Sequence, residues 1–340
     1  MAVTTCPKCD EPVGAQDRFC ESCGQSLLVR RTPAGGPLGE AATSGKCVAC
    51  GSANLGAEGF CEDCGRAQPT GRDRMESDLG MVVGVSDKGR RRARNEDSMA
   101  YGTVLGAQAP PTVVAVVCDG VATSDRADNA SQLAVDEAST VLLDAVLEGL
   151  DGTDAERATK AAVARAIEVV AELADPAVPG TAPSCTFVSA VVTPTDATIG
   201  WVGDSRVYWI AAPEGGALSS RQLTVDDTVA AELMAEGMPE EEAMAVHQAH
   251  ALSKWIGADA GEIEARVVTI QPNGPGHVLL CSDGLWNYLP DAQALADAVS
   301  PDATPMAAAT ELTRLALELG GHDNITTVLV PFPPVDRSGS

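Results

Sequence analysis

The sequence predicts an α+β fold: a layered sandwich of sheet and helix, preceded by two small cysteine-bearing modules. Three observations predict it. Strand-type apolar runs and helical periodicities come in groups, with helices in pairs, and strict strand–helix alternation is absent, which argues against a doubly wound parallel sheet. Eight of the eleven cysteines repeat one spacing twice near the amino terminus. Acidic turns recur beside the strand-type runs: Asn95-Glu96-Asp97, Asp119-Gly120, Asp204-Ser205-Arg206, Ser282-Asp283-Gly284 and Asp323-Asn324.

Composition narrows the function classes. The chain has 340 residues, 45% of them apolar, enough for one large domain plus small modules. Its 48 acidic and 23 basic residues give a net charge of −25, which argues against a broad nucleic-acid or anionic-membrane surface. Aromatic residues are only 3%, too few for base-stacking platforms. There is no apolar run of membrane-spanning length, and the polar amino terminus lacks an apolar signal core, so a cytoplasmic protein without membrane contact is expected. In a reducing compartment, cysteine pairs at metal spacing read as zinc ligands rather than disulfides.

The first module is Cys6-Pro-Lys-Cys9, ten residues, then Cys20-Glu-Ser-Cys23; the second is Cys47-Val-Ala-Cys50, ten residues, then Cys61-Glu-Asp-Cys64. Each offers four thiolates to one tetrahedral, structural Zn²⁺. Gly24, Gly51 and Gly65 follow the second cysteine of a pair, where a tight turn is needed, and Phe19 and Phe60 are expected to cap a very small core. The modules read as zinc ribbons at 1–26 and 45–67, with linkers at 27–44 and 68–77. Acidic residues such as Glu21 and Glu62 outnumber the bases around them, so the ribbons suit a protein partner better than nucleic acid.

In the large domain, strands are predicted at 82–85, 112–118, 186–192, 198–202, 207–210, 265–270, 277–281 and 325–330. Helices are predicted at 125–150, 154–173, 227–236, 240–249, 291–299 and 304–319. Carboxylates at strand ends can converge in one cleft, and such oxygen ligands hold hard divalent cations, Mg²⁺ and Mn²⁺. That chemistry is metal-assisted hydrolysis rather than side-chain nucleophilic attack. Arg92 lies three residues before Asn95; beside an acidic cluster, its guanidinium fork suits a phosphate. Cys118, Cys185 and Cys281 sit in apolar surroundings and read as core.

Seven motifs, in order, resemble the metal-dependent protein phosphatases of the PPM (type 2C) family. They are Arg92 with Asn95-Glu96-Asp97-Ser98; Cys118-Asp119-Gly120; Gly203-Asp204-Ser205-Arg206; Leu223-Thr224-Val225-Asp226; Leu252-Ser253-Lys254-Trp255-Ile256-Gly257; Cys281-Ser282-Asp283-Gly284-Leu285; and Gly321-His322-Asp323-Asn324-Ile325-Thr326. The resemblance covers 78–332 and leaves 333–340 as a disordered tail. It implies a four-layer αββα sandwich, two antiparallel sheets flanked by helices, with a binuclear Mn²⁺ or Mg²⁺ centre at one edge. It further implies that Asp119, Asp283 and Asp323 hold the metals and Gly120 adds its carbonyl. Asp97 acts through bound water or directly, Asp204 belongs to a third, weaker site, and residues 226–242 form a flap. The implied activity is hydrolysis of phosphoserine and phosphothreonine on the protein substrates of a Ser/Thr kinase, by metal-activated water without a covalent intermediate.

Some positions depart from the pattern. Asp119-Gly120-Val121-Ala122-Thr123 replaces Asp-Gly-x-Gly-Gly, and Ala and Thr resist positive φ. Val121 stands where eukaryotic members carry a proposed acid histidine, and Asp227 where a histidine often follows the flap aspartate. The altered loop motivates an alternative: a catalytically silent scaffold that binds a protein through its ribbons.

Overall fold

The computed structural model describes residues 70–105, 111–150, 152–175, 177, 182–212, 219–300 and 302–335, and within the first 69 residues 6, 9, 11–14, 17, 19–24, 27–37, 46–47, 50–56, 60–66 and 68. Two antiparallel six-stranded sheets face each other. The first runs in the order β1 (Val29–Arg31), β4 (Ser98–Val104), β5 (Thr112–Cys118), β7 (Phe187–Val192), β8 (Ala197–Val202) and β12 (Arg266–Ile270). The second runs β10 (Arg221–Gln222), β9 (Arg206–Ala211), β13 (Gly276–Cys281), β14 (Ile325–Phe332), β3 (Val83–Asp87) and β2 (Arg74–Asp78). A third, two-stranded piece pairs β6 (Ser184–Cys185) with β11 (Ile256–Gly257).

Helices cover both outer faces, completing the four layers expected. On the first sheet lie α1 (Ala127–Glu148) and α2 (Gly152–Ala171), seated on Ala100, Val114, Val116 and Phe187. On the second lie α5 (Asp283–Trp286), α6 (Ala292–Asp297) and α7 (Pro305–Leu319), packed on Val83, Val85, Tyr208 and Leu279. The inner faces meet in an apolar layer that includes Met99, Tyr101, Val117, Ile199, Trp209, Leu280 and Val328. The central strands are therefore buried on both sides and read as continuous apolar runs, not alternating ones. Between β10 and β11, α3 (Val229–Ala235) and α4 (Glu240–Met244) form a small subdomain around Ala230, Ala243 and Ala249.

Two stretches expected to be linkers enter the sheets. Within 27–44, Val29–Arg31 pairs with β4, and within 68–77, Arg74 begins the strand that pairs with β3. Both are outermost strands rich in charge, Val-Arg-Arg and Arg-Met-Glu-Ser-Asp, a composition that suits an edge and hides a strand from a hydrophobic-pattern search. Residues 336–340 of the expected tail lie outside the described residues, as do Lys8 and Arg18 of the first ribbon.

Candidate active site

Strand register brings the acidic turns to one end of the sandwich. Ser98 pairs with Cys118, so Asp97 before β4 and Asp119 after β5 are neighbours. Cys281 pairs with both Thr327 and Arg206, so Asp283, Asp323 and Asp204 flank the corresponding end of the second sheet. Loop turns that look unrelated over more than 200 residues of sequence thus share an edge.

Asp97 is fully buried. Its Oδ2 accepts hydrogen bonds from Ser282 Oγ at 2.7 Å and Thr326 Oγ1 at 2.8 Å, while Oδ1 has no partner among the described residues. Burial pushes its carboxyl up to about 7, against the two hydroxyls and with repulsion from Asp323 and Asp283. Burial also lifts Asp283 to about 6 and Asp204 to about 8, each with help from a neighbouring aspartate. Asp119 is raised well above the ordinary carboxylate range, first by burial, then by Asp97, Asp283, Asp204 and Asp323. Asp283 Oδ1 is a second buried oxygen without a partner among the described residues.

Arg92 reaches the group, its Nη2 lying 2.5 Å from Asp323 Oδ2. Its predicted partner was a phosphate; here one arm of the guanidinium is engaged by a carboxylate of the site. Unpartnered buried oxygens and mutually repelling carboxylates form a hard-oxygen donor set that fits divalent cations. The carboxylates are strung along the edge: among the described residues, only the cysteine quartets gather three or more ligand atoms within 4.8 Å of one another.

Backbone contacts fix these side chains. Thr186 brackets Asp119: its N–H donates to Asp119 O at 2.8 Å, and its Oγ1 accepts from Asp119 N at 3.1 Å. Asn324 ties the Arg92 loop down, donating through Nδ2 to Lys88 O and Arg94 O and accepting from Glu96 N. Gly120 packs so closely that a Cβ would lie 2.8 Å from both Glu96 O and Ala127 O. Ser282, Asn324 and Thr326 stand inside the motifs and Thr186 lies outside them, and in every case the hydroxyl and amide partners are set by register and have no signal in sequence.

A family model described as protein phosphatase 2C matches residues 88–319. The chain belongs to this phosphatase family. It is a protein serine/threonine phosphatase whose substrates are phosphorylated proteins. A serine/threonine phosphatase, stp, of Listeria innocua is 28% identical over 249 residues, covering 72% of this chain and 93% of that protein. The protein phosphatase PhpP of Streptococcus pneumoniae is 36% identical over 137 residues, covering 40% of this chain and 52% of that one. Among solved structures, Mycobacterium tuberculosis PstP/Ppp aligns with a TM-score of 0.56 at 26% identity, over 74% of this chain and 97% of that one. Staphylococcus aureus Stp1 aligns at 0.62 and 24% identity, over 75% and 95%, which supports the fold. A double zinc ribbon model matches residues 5–65.

The ribbons of this phosphatase carry the expected quartets. Cys6 and Cys23, Cys9 and Cys20, Cys47 and Cys64, and Cys50 and Cys61 each place their sulfurs 3.6 Å apart. Cys50 has backbone help from Ser52, yet the neighbouring thiols outweigh it and push its pKa up to about 12. Four sulfurs this close become thiolates only around a cation, and Zn²⁺ suits the donor set. Gly24, Gly51 and Gly65 take φ of 70°, 74° and 70°, and each N–H donates to the carbonyl of the cysteine four residues earlier. Phe19 was expected to cap a core but is 60% exposed. Phe60 instead lies under the Arg94 guanidinium, 5.0 Å from it, against the loop that carries Arg92.

The departures from the family pattern are accommodated. Arg126 and Gln248 are the only non-glycine residues with positive φ among those described, so Ala122 and Thr123 avoid it. The loop closes through Val121 N–H to Ser184 O at 3.0 Å and Ser124 N–H to Val121 O at 2.8 Å. Asp227 is buried. It accepts from Gly203 N at 3.0 Å, pairs with Arg266, and lies 3.4 Å from Lys254, so it roots the segment expected as a flap. His322 is exposed and sits beside the Tyr288 ring, 6.1 Å between centroids.

Proposed function

We propose that the phosphatase hydrolyses phosphoserine and phosphothreonine by direct attack of water, using Mn²⁺ or Mg²⁺ and forming no covalent intermediate. Asp119, Asp283 and Asp323, with the Gly120 carbonyl, would hold two cations; Asp97 would face them, and Asp204 would serve a third. When bound, the cations supply Lewis-acid activation of water and offset charge on the phosphate. The observation that carries the proposal is the group of carboxylates whose pKa values are raised first by burial and then by neighbouring aspartates, while two of their oxygens stay unpartnered among the described residues.

The chain's own residues have separable tasks in this reading. Ser282 and Thr326 occupy Asp97 Oδ2, so only Oδ1 is open to orient a water or take its proton. Arg92 is 34% exposed, so the guanidinium arm not held by Asp323 can reach a phosphate oxygen from solvent. The leaving Ser or Thr oxygen then takes its proton from water. A thiol nucleophile fits poorly: Cys118, Cys185 and Cys281 are fully buried, and burial pushes the Cys118 and Cys281 thiols far up.

No helix among the described residues is long and apolar enough to cross a membrane. We place the enzyme in the cytoplasm, in signalling opposite a Ser/Thr kinase, with its acidic ribbons contacting protein. The test is hydrolysis of a phosphopeptide in Mn²⁺ by wild type and Asp119→Ala. Loss of nearly all turnover in the variant supports the proposal; turnover near the wild-type rate overturns it.

A further inference from the structure

Arg72 lies in the stretch read as a linker and outside the matched family region, yet it reaches the catalytic turn. Its Nη2 donates to the Asp97 main-chain oxygen at 2.8 Å and to Ser98 Oγ at 2.9 Å. Its Nη1 donates to Gln132 Oε1 on α1 at 2.5 Å. Asn95 Nδ2 returns a bond to the Arg72 main-chain oxygen at 3.0 Å, so the turn 95–98 is gripped from both sides.

We propose that Arg72 is a positioning residue for the phosphatase reaction: it fixes the Asp97 backbone so that the open Oδ1 points correctly. The two ends of Asp97 are held by different layers. Its carboxylate is tied to the second sheet by Ser282 and Thr326, and its carbonyl to the first helix layer through Arg72 and Gln132. Loss of Arg72 frees the carbonyl end while the carboxylate keeps its two hydroxyls. Asp97 then stays buried but swings about Oδ2, which misdirects Oδ1.

Arginine suits this task better than lysine. Its planar fork meets three acceptors in fixed directions, whereas an ammonium reaches them only as one mobile point. The clamp also rests on the inter-ribbon segment. Gly35 N donates to Asp136 Oδ2 at 3.0 Å, one turn along α1 from Gln132, and a Cβ at Gly36 would touch Gln132 Oε1 at 3.4 Å.

The proposal rests on the phosphatase reading, and wild-type turnover checks that reading separately. The experiment measures steady-state kinetics on a phosphopeptide in saturating Mn²⁺, with thermal midpoints, for wild type, Arg72→Met and Arg72→Lys. Residues that orient a metal-site side chain through a hydrogen bond are worth about 10- to 100-fold. The expected result for Arg72→Met is a fall of that size in kcat with KM within about twofold of wild type, partly restored in Arg72→Lys. If Arg72→Met does not fold, Arg72→Lys and Gln132→Met take its place, each expected to lower kcat at unchanged KM. Unchanged kcat overturns the proposal, as does a loss that follows the thermal midpoint and is not restored by lysine.

Discussion

Gly284 offers the sharpest test of how the site is assembled. It follows Asp283 at the start of α5, where a Cβ would lie 1.9 Å from Asn324 O and 2.8 Å from Asn324 C. Real Cβ atoms essentially never approach below 3.0 Å, so Gly284→Ala must separate α5 from residues 323–324 by 3.0 − 1.9 = 1.1 Å. Asp283 and Asp323 sit on opposite sides of that contact and move apart with it. A displacement of about 1 Å in catalytic geometry costs on the order of 100-fold in rate. Overpacking costs stability by roughly 1–3 kcal/mol, which leaves a folded protein. The assay is Mn²⁺-dependent phosphopeptide hydrolysis beside a thermal melt. A folded Gly284→Ala enzyme with wild-type kcat would refute the reasoning that this approach sets the spacing of the two carboxylates.

Other consequences are equally direct. Carboxyls raised to about 6, 7 and 8 bind protons that the unfolded chain, with its ordinary value of 3.8, has released. In chelator, stability is therefore fullest below the unfolded value and declines as pH rises through that window to the raised values; Mn²⁺ should restore the thermal midpoint most at the alkaline end. Ser282→Ala removes the 2.7 Å bond to Asp97 and the acceptor of Thr326 N, which should cost roughly 2–4 kcal/mol in denaturant titration and weaken Mn²⁺ binding in calorimetry. Cys47→Ser should halve the zinc released to a chromophoric chelator on denaturation, because one quartet is left intact.

Much of the candidate site was legible in sequence because its turns are backbone devices. Asp119-Gly120 and Asp283-Gly284 announce strand ends, and their glycines stand where a Cβ would strike a carbonyl. The flanking apolar runs gave β5, β7, β8, β13 and β14 because these strands are buried on both faces. β4 was missed: Ser98–Val104 is built of small and mixed residues, including Gly102, whose absent side chain leaves room for the Arg30 carbonyl and Leu143. The Arg92–Asp323 pair and the Arg72–Asp97 contact were illegible for a different reason. They join residues 231 and 25 positions apart, and nothing in local composition encodes which cation meets which oxygen. Asp227 shows the limit of pattern matching: the position where a histidine often follows the flap aspartate holds a buried anchor.

The central claim is that carboxylates on two facing sheets hold divalent cations that make water reactive toward a phosphate ester. Anomalous scattering from crystals of the full chain grown in Mn²⁺ tests it most directly. The account predicts two strong manganese peaks within ligand distance of Asp119, Asp283 and Asp323. An empty edge in a protein that still hydrolyses phosphopeptide in chelator would contradict it.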